Sequence, residues 1–351
     1  MKIRNVGILT FVIVMFFACN NQSNENNSSG LTVAEETQNN FHQLAGETAA
    51  IVYSGFRTGQ HPDRGDGAKN PTYKQTVEDL QILSDAGFRL IRLYDSGENS
   101  EMVLRVIQDN HLDMKVLLGI WLKAELSNHE GCSWLHEPIP QSVLEENKIQ
   151  NRKEIERGIA LAEKYENIVV AVNVGNEALV DWNDHMVPVD TVIVYVEQVK
   201  SAIDQEVSVA DNYKWWANHG RELAGIVDFI SIHIYPVWEE KNIEESLSYS
   251  IENIREVQDS LPEAKILITE AGWPSIASEF SEIASEENQQ RYLEEMLAWS
   301  EENKITMFIF EAFDEDWKGN PENPLGAEKH WGIFNIDRSP KLVMQSKLNH
   351  K

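Results

Sequence analysis

The sequence alternates short apolar runs with longer amphipathic stretches from residue 48 onward. The runs are rich in β-branched and aromatic side chains and nearly continuous in hydrophobicity, which is typical of parallel strands buried on both faces. They lie at residues 50–53, 88–94, 114–121, 168–174, 207–210, 227–235, 265–269 and 306–310. Eight strands separated by helices favour parallel pairing, and this number closes an α/β fold into a single (β/α)8 TIM barrel.

Helical patterns fill the connections between these runs. In one stretch, apolar residues recur every three or four positions from Ile243 to Leu261, and Pro262 follows. Asn70 and Pro71 predict the start of an earlier helix as its N-cap and first-turn proline. A doubly wound open sheet is the alternative, but no glycine-rich phosphate loop follows the first run.

The first 18 residues predict a bacterial lipoprotein signal peptide. Lys2 and Arg4 precede an apolar stretch over 6–17 that is too short to span a bilayer. Cys19 follows the small Ala18, so we expect Cys19 to be lipidated, although a secretory signal with a chance cysteine is the alternative. Residues 19–47 predict a polar flexible tether and 48–351 the barrel. The protein would then be exported and membrane-anchored, on the periplasmic or cell-surface face.

Charge and cysteine content exclude several classes of protein. The formal net charge is −27, and removal of Lys2 and Arg4 with the signal peptide would make it −29. Such a charge disfavours nucleic acid and anionic membrane surfaces as partners and is compatible with a neutral polymer. Cys132 is the only cysteine besides Cys19, which predicts neither a disulfide nor a zinc site built from thiolates.

Two glutamates lie where apolar runs end, namely Glu177 after 168–174 and Glu270 after 265–269. The carboxyl ends of barrel strands form the mouth in which catalytic groups gather. Cleavage of a glycosidic bond needs two such carboxyl groups, one to protonate the leaving oxygen and one to attack or stabilise the sugar carbon. The long connection 122–147 carries Trp134 and is predicted to be a loop that shapes the cleft.

Several segments resemble glycoside hydrolase family 17, a family of retaining β-1,3-glucanases and related enzymes built on a (β/α)8 barrel. The two longest matches are 174–177 (Val-Gly-Asn-Glu) and 268–275 (Ile-Thr-Glu-Ala-Gly-Trp-Pro-Ser). Shorter matches lie at 92–95, 234–236, 313–315 and 328–335, so the likeness extends over about residues 51–340. The polar loop 58–67, Glu311 and the loop around Trp134 depart from plant members of the family, which leaves the subsite structure open.

The resemblance implies a role for each matched residue. Glu177 would be the general acid/base, Glu270 the nucleophile, and Asn176 the residue that binds the sugar 2-hydroxyl. Tyr235 would place a hydroxyl near the nucleophile, and Glu315 and Glu328 would be carboxylates of the cleft. Further substrate contacts are predicted at Tyr94, Phe313, Trp121, Trp134 and Trp273, since sugar faces pack on aromatic rings.

The resulting prediction is a monomeric, retaining endo-β-1,3-glucanase that acts on laminarin-type glucan by double displacement and needs no metal or organic cofactor. A β-1,3-glucanosyltransferase would use the same two glutamates, with an acceptor sugar in place of water. A non-catalytic, glycan-binding surface lipoprotein would not need both carboxyl groups. A metal-dependent hydrolase using His61, His219 and His233 is disfavoured because these histidines lack the spacing of metal ligands.

Overall fold

Eight parallel strands pair in chain order in the computed structural model, which describes residues 44–348. The last strand pairs with the first, with Ala50 opposite Phe308 and Ile51 opposite Ile309, so the sheet closes into a barrel. The strands are β1 (Ala50–Val52), β2 (Leu90–Arg92), β3 (Lys115–Ile120), β4 (Val169–Asn176), β5 (Glu206–Asn212), β6 (Ile230–Ile234), β7 (Ile266–Ala271) and β8 (Met307–Ile309). The predicted (β/α)8 fold is confirmed.

Burial of the strands explains why they read as continuous apolar runs. Every residue of β1, β2, β4, β6, β7 and β8 is buried, because one face fills the barrel interior and the other packs against helices. The strand boundaries differ from those predicted. β5 continues to Asn212 because Asp211 and Asn212 pair with β6 despite their polar side chains, and this pairing satisfies their backbone groups.

Helices surround the barrel between the strands. They are α1 (Tyr73–Asp85), α2 (Glu98–Asp109), α3 (Gln141–Lys164), α4 (Val189–Ala202), α5 (Tyr213–His219), α6 (Arg221–Ala224), α7 (Ile243–Ser260), α8 (Glu286–Asn303) and α9 (Leu342–Leu348). Three short 3₁₀ helices lie at Pro236–Glu239, Ser281–Ile283 and Ala327–Lys329. No helix within residues 44–348 is long and apolar enough to cross a membrane.

One predicted helix start and one predicted loop end were wrong. The N-cap of α1 is Thr72 rather than Asn70, because Thr72 and Gln75 exchange hydrogen bonds as a capping box that fixes the first turn. The long loop predicted over 122–147 ends at Pro140, and α3 begins at Gln141. Leu144 is buried in that first part of α3, which shows that the segment contributes to the core.

The packed part of the chain begins before the predicted boundary at residue 48. Leu44 is only 1% exposed, and the backbone N–H of Gly46 donates to the Thr306 hydroxyl at 2.9 Å. These contacts place residues 44–47 in the barrel rather than in a tether. The predicted signal peptide, Cys19 and the rest of the predicted tether lie outside the described residues.

Candidate active site

Glu177 and Glu270 meet at the carboxyl ends of their strands. Glu177 follows β4 directly with a left-handed backbone (φ 49°), and its N–H donates to Ala210 O at 2.8 Å. Glu270 is the penultimate residue of β7. One carboxylate oxygen of each lies within 4.8 Å of the other. Carboxyl groups of retaining glycosidases are about 5–5.5 Å apart, and oxygens within 4.8 Å of each other are compatible with that separation.

Three donors hold the carboxylate of Glu270. The Arg92 guanidinium donates to Oε1 at 2.5 Å, and the Tyr94 hydroxyl donates to the same oxygen at 2.8 Å. The Tyr235 hydroxyl donates to Oε2 at 2.5 Å. Both tyrosines therefore lie beside the residue predicted to be the nucleophile.

These donors keep Glu270 ionised. Burial by itself would raise its pKa, but the positive charges of His233 and Arg92 and the hydrogen bonds from Tyr235 and Tyr94 lower the pKa to about 2. Burial, and then the charge of Glu270, raise the pKa of each tyrosine well above its ordinary value, so both hydroxyls stay protonated as donors. An ionised, oriented carboxylate is the form that a glycosidase nucleophile needs.

The guanidinium of Arg92 contacts both Glu270 and Asn176. Its Nη1 donates to Glu270, while its Nη2 donates to Asn176 Oδ1 at 2.5 Å. Arg92 thereby fixes the orientation of the Asn176 amide, whose NH₂ group can donate two hydrogen bonds. The sequence prediction gave Arg92 no role, although a charged residue ending an apolar strand was a visible signal. Arg92 and Tyr94 are also two positions apart, the spacing that puts side chains on one side of an extended segment.

Glu177 has different surroundings. Its Oε1 lies 2.9 Å from His233 Nδ1, and its side chain is 18% exposed, against 6% for that of Glu270. Asp211 on β5 supports the turn that carries Glu177, since its carboxylate accepts from the N–H of Leu179 at 2.9 Å. Burial, and then the charge of Glu177, raise the pKa of Asp211 well above its ordinary value.

A group of acids and one lysine follows β8. Lys318 Nζ lies 2.6 Å from Glu311 Oε2 and 3.0 Å from Glu315 Oε2. Glu315, predicted as a carboxylate of the cleft, is 1% exposed and also accepts from the Ser54 hydroxyl at 2.6 Å. Glu328 is half-buried, and burial followed by the charges of Glu177 and Glu270 raises its pKa. The negative charges of both Glu177 and Glu270 therefore act on Glu328.

Two predicted substrate contacts were wrong. Trp273 is completely buried, donates from Nε1 to Ile283 O at 3.0 Å and packs on Tyr292. Phe313 is 2% exposed and packs between Tyr53 and Phe334. Both rings belong to the core because the segments after β7 and β8 fold back over the barrel, so neither can stack on a sugar.

Trp121 and Trp134 remain candidates for sugar contact. Trp134 is 54% exposed. Trp121 is half-buried and packs on the His185 ring with centroids 4.5 Å apart, while His185 Nε2 lies 2.9 Å from Asn176 O. The side-chain amide of Asn128 donates to Asp181 O at 2.6 Å and to Asn183 O. These hydrogen bonds connect the loop after β3 with the loop after β4.

Two further exposed rings were absent from the prediction. Trp182 is 38% exposed and Trp238 is 45% exposed. They lie just after β4 and β6 respectively, beside the segments that carry Glu177 and Tyr235. Their position after predicted strands was the signal that could have found them.

A metal ion fits poorly among these groups. Within residues 44–348, Glu177, His233 and Glu270 form the only set of three His, Cys, Asp or Glu side chains close enough to share an ion. Glu270 already accepts three hydrogen bonds, one of them from the Arg92 cation, which would repel a second cation. His61 and His219, predicted as partners of His233 in the alternative hydrolase, are outside this set.

The sequence matches the profile of the BtgE/BtgC glycoside hydrolase domain over residues 50–332. The chain belongs to this family. The match confirms the resemblance to glycoside hydrolase family 17 and identifies the chain as a glycosidase by family.

Individual relatives agree with this assignment. A glucan 1,3-beta-glucosidase of Arthroderma benhamiae is 25% identical over 279 residues, which cover 74% of this chain and 81% of that protein. A glucan 1,3-beta-glucosidase of Saccharomyces cerevisiae is 27% identical, with 48% of this chain and 59% of the relative covered. The chain thus spans less than two thirds of the yeast relative's length.

The fold is shared with solved structures. A crystal structure of an endo-laminarinase from Formosa Hel1_33_131 superposes with a TM-score of 0.73 at 23% identity, and 88% of each chain is covered. A β-1,3-glucanosyltransferase from Rhizomucor miehei superposes with a TM-score of 0.63 at 20% identity, with 85% of this chain and 97% of that chain covered. Each comparison supports the barrel architecture.

Proposed function

We propose that this member of the BtgE/BtgC family hydrolyses internal β-1,3-glucosidic bonds of laminarin-type glucan with retention of configuration. The observation that carries the proposal is the pair Glu177 and Glu270, with carboxylate oxygens within 4.8 Å and unlike surroundings. Family membership and the glucan-processing relatives supply the substrate class. A neutral glucan also suits a chain with a formal net charge of −27, because its binding needs no complementary charge.

The reaction follows from the two surroundings. Glu177 in its protonated form donates to the glycosidic oxygen, while ionised Glu270 attacks the anomeric carbon and forms a glucosyl ester. Glu177, now ionised, then takes a proton from the incoming water, whose oxygen replaces Glu270 at the anomeric carbon. The amide of Asn176 is placed by Arg92 to donate to the sugar 2-hydroxyl during both steps.

Endo action is supported by the distribution of exposed rings. Trp134, Trp182 and Trp238 are each more than a third exposed and follow three different strands. Rings spaced along a cleft can contact successive glucose units of one chain. A cleft of this kind would bind a polymer along its length, whereas an exo-enzyme needs a pocket that closes over one chain end.

Product analysis tests this proposal directly. Linear β-1,3-glucan, mixed-linkage β-glucan and cellulose are incubated with the protein, and products are sized over time. We expect a ladder of short oligosaccharides from β-1,3-glucan, with viscosity falling faster than reducing ends appear and the β-anomer released first. Glucose as the sole early product would overturn endo action, and a preference for cellulose would overturn the linkage.

Transfer to an acceptor sugar is the alternative outcome of the same site. Both reactions form the ester on Glu270, and they differ in whether water or a sugar hydroxyl reaches it. Incubation with laminari-oligosaccharides at high concentration separates them, because a transferase makes products longer than its substrate. We expect shortening to dominate, and persistent elongation at low substrate concentration would assign the chain as a glucanosyltransferase.

We also propose that the protein is an exported, monomeric lipoprotein anchored through Cys19. The basic start, the short apolar stretch and the small Ala18 before Cys19 support this proposal. Mass spectrometry of protein from a native-like host should find lipid on an N-terminal Cys19. An unmodified Cys19 would contradict the anchor, and light scattering of the detergent-free Cys19→Ala variant checks the monomer.

A further inference from the structure

His233 lies between the two carboxylates of the site. Its Nδ1 is 2.9 Å from Glu177 Oε1, and its Nε2 is 3.5 Å from Glu270 Oε1. The strand register fixes this position, because His233 pairs with Asn212 on β5 and with Glu270 on β7. The imidazole is completely buried, so bulk water reaches neither nitrogen.

The two nitrogens of His233 are not equally satisfied. Nδ1 is within hydrogen-bond distance of Glu177, whereas Nε2 forms no hydrogen bond with any described residue. A buried polar atom without a partner is costly, and the nearest acceptor is the carboxylate of Glu270. Contacts in a substrate-free site are often longer than in the working complex, so 3.5 Å is a distance that can shorten when substrate binds.

Two carboxylates contact His233, and no other described imidazole contacts both glutamates. Glu177 and Glu270 touch it, and Arg92 and the two tyrosines reach it through Glu270. The titratable and charged groups of the whole site, by strand, are Arg92 and Tyr94 at β2, Glu177 after β4, Asp211 on β5, Tyr235 after β6, Glu270 on β7, and Glu311, Glu315, Lys318 and Glu328 after β8.

We propose that His233 is the positioning residue of the acid/base, sharing one acidic proton with Glu177 through Nδ1 and directing its Nε2–H at Glu270. This inference rests on the proposed function of the two glutamates. The negative charge of Glu270 then stabilises the shared proton through the imidazole. Glu177 and His233 therefore keep the proton as long as Glu270 is ionised and not bound to the sugar.

The arrangement changes in step with the reaction. In the first half, the pair gives up one proton to the glycosidic oxygen through the carboxyl group of Glu177, the bond between that oxygen and C1 breaks, and Glu270 bonds to C1. Glu270 is then an uncharged ester, so the pair of Glu177 and His233 loses the charge that favoured its proton and is ready to act as a base. In the second half, a water proton returns to the pair, the water oxygen bonds to C1, and the ester electrons return to Glu270.

Two substitutions separate this role from simple packing. His233→Asn can place an amide near the position of Nδ1, and His233→Gln can place one near Nε2, but neither side chain can carry the proton. His219→Asn is the matched control, since His219 is an exposed residue at the end of α5. The substrates are two aryl β-laminaribiosides, one with a good leaving group that needs no acid and one with a poor leaving group that does.

We expect both His233 variants to lose about 10²-fold in kcat/KM on the poor leaving group and to stay within about threefold of the parent on the good one, since an acid contributes only where the leaving group needs a proton. The alkaline limb of the kcat/KM pH profile should move to lower pH by about one unit, because the proton is less well held. Equal losses on both substrates with an unmoved alkaline limb would overturn the proposal.

A second measurement does not depend on activity or on the stability of the variants. The ring ¹⁵N resonances of His233 are followed against pH in the parent and in Glu270→Gln. We expect the shared proton to be lost at lower pH in Glu270→Gln, since the charge that stabilises it is gone. Identical titrations would overturn the proposal, and a parent that cleaves no glucan but shows the shift would overturn the proposed function alone.

Discussion

The ends of β4 and β7 each carry a glutamate, but the two side chains have different surroundings. Glu270, on β7, is almost completely buried and accepts hydrogen bonds from one arginine and two tyrosines. Glu177, after β4, is more exposed and faces a single imidazole. A carboxylate surrounded by donors is kept ionised, whereas one with a single titratable partner can take up and release a proton. The number and kind of donors therefore differ between the residue proposed as the nucleophile and the residue proposed as the acid.

Removal of Glu270 should have the largest effect. We expect Glu270→Ala to lose about 10⁴-fold or more in kcat on all substrates, since no covalent ester can form. Azide should restore part of the activity and yield an α-glycosyl azide, because it attacks from the space that Glu270 vacates. Glu263→Ala, at an exposed position before β7, is the control. Turnover of Glu270→Ala at the parent's rate without azide would contradict the role of Glu270 as the nucleophile.

Removal of Glu177 should give a smaller and substrate-dependent loss. We expect Glu177→Ala to lose about 10²–10⁴-fold on laminarin, where the leaving group needs a proton, and far less in the first step with an activated aryl glycoside. Azide should now yield a β-glycosyl azide, because it attacks the ester on Glu270. NMR of the product distinguishes the two anomers. An α-glycosyl azide from this variant would show that Glu177, and not Glu270, is the nucleophile.

Arg92 should act on the Glu270 side of the site. Its guanidinium lowers the pKa of Glu270, so Arg92→Gln should raise that pKa and move the acidic limb of the pH profile to higher pH. Arg92→Lys keeps the charge but cannot contact Glu270 and Asn176 together, so its limb should move less. Each variant should lose about 10–100-fold in kcat/KM, in line with hydrogen bonds to charged groups. An unmoved limb in Arg92→Gln would contradict the assignment.

Tyr235 should have the smallest of these effects. We expect Tyr235→Phe to lose about tenfold in kcat, because one of the three hydrogen bonds to Glu270 disappears. The acidic limb should again move to higher pH, since that hydrogen bond lowers the pKa of Glu270. Tyr292→Phe removes a buried hydroxyl that bonds Ser250 and serves as the control. A shift of the alkaline limb alone would place Tyr235 with Glu177 instead.

Much of the barrel could be predicted from local pattern. A strand buried on both faces is mostly apolar, so all eight strands are visible as nearly continuous apolar runs whatever their partners. Strand ends were less certain because hydrogen bonding to a neighbour, as at Asp211 and Asn212, can extend a strand through polar residues. The helix starts after Thr72 because Thr72 and Gln75 form two hydrogen bonds with each other. The nearby Asn70 and Pro71 are also typical of a helix start, so the sequence offered two candidate positions.

The roles of the aromatic residues could not be predicted in the same way. Trp134 and Trp273 both follow strands, yet Trp134 is exposed and Trp273 completely buried. A large ring gains free energy from burial against either the core or a sugar, so residue type and strand position do not separate the two uses. The outcome depends on which later segment covers the ring, which is a long-range contact.

The sequence by itself determined the number of strands and the two glutamates at their ends, because hydrophobic pattern and strand position are local properties. Only the tertiary structure decided how those glutamates differ. Arg92 contacts Glu270 across 178 positions of the chain and Asn176 across 84, and His233 reaches Glu177 across 56. These contacts exist because β8 closes against β1 and brings all the strand ends to one mouth, where its charged neighbours lower the pKa of Glu270.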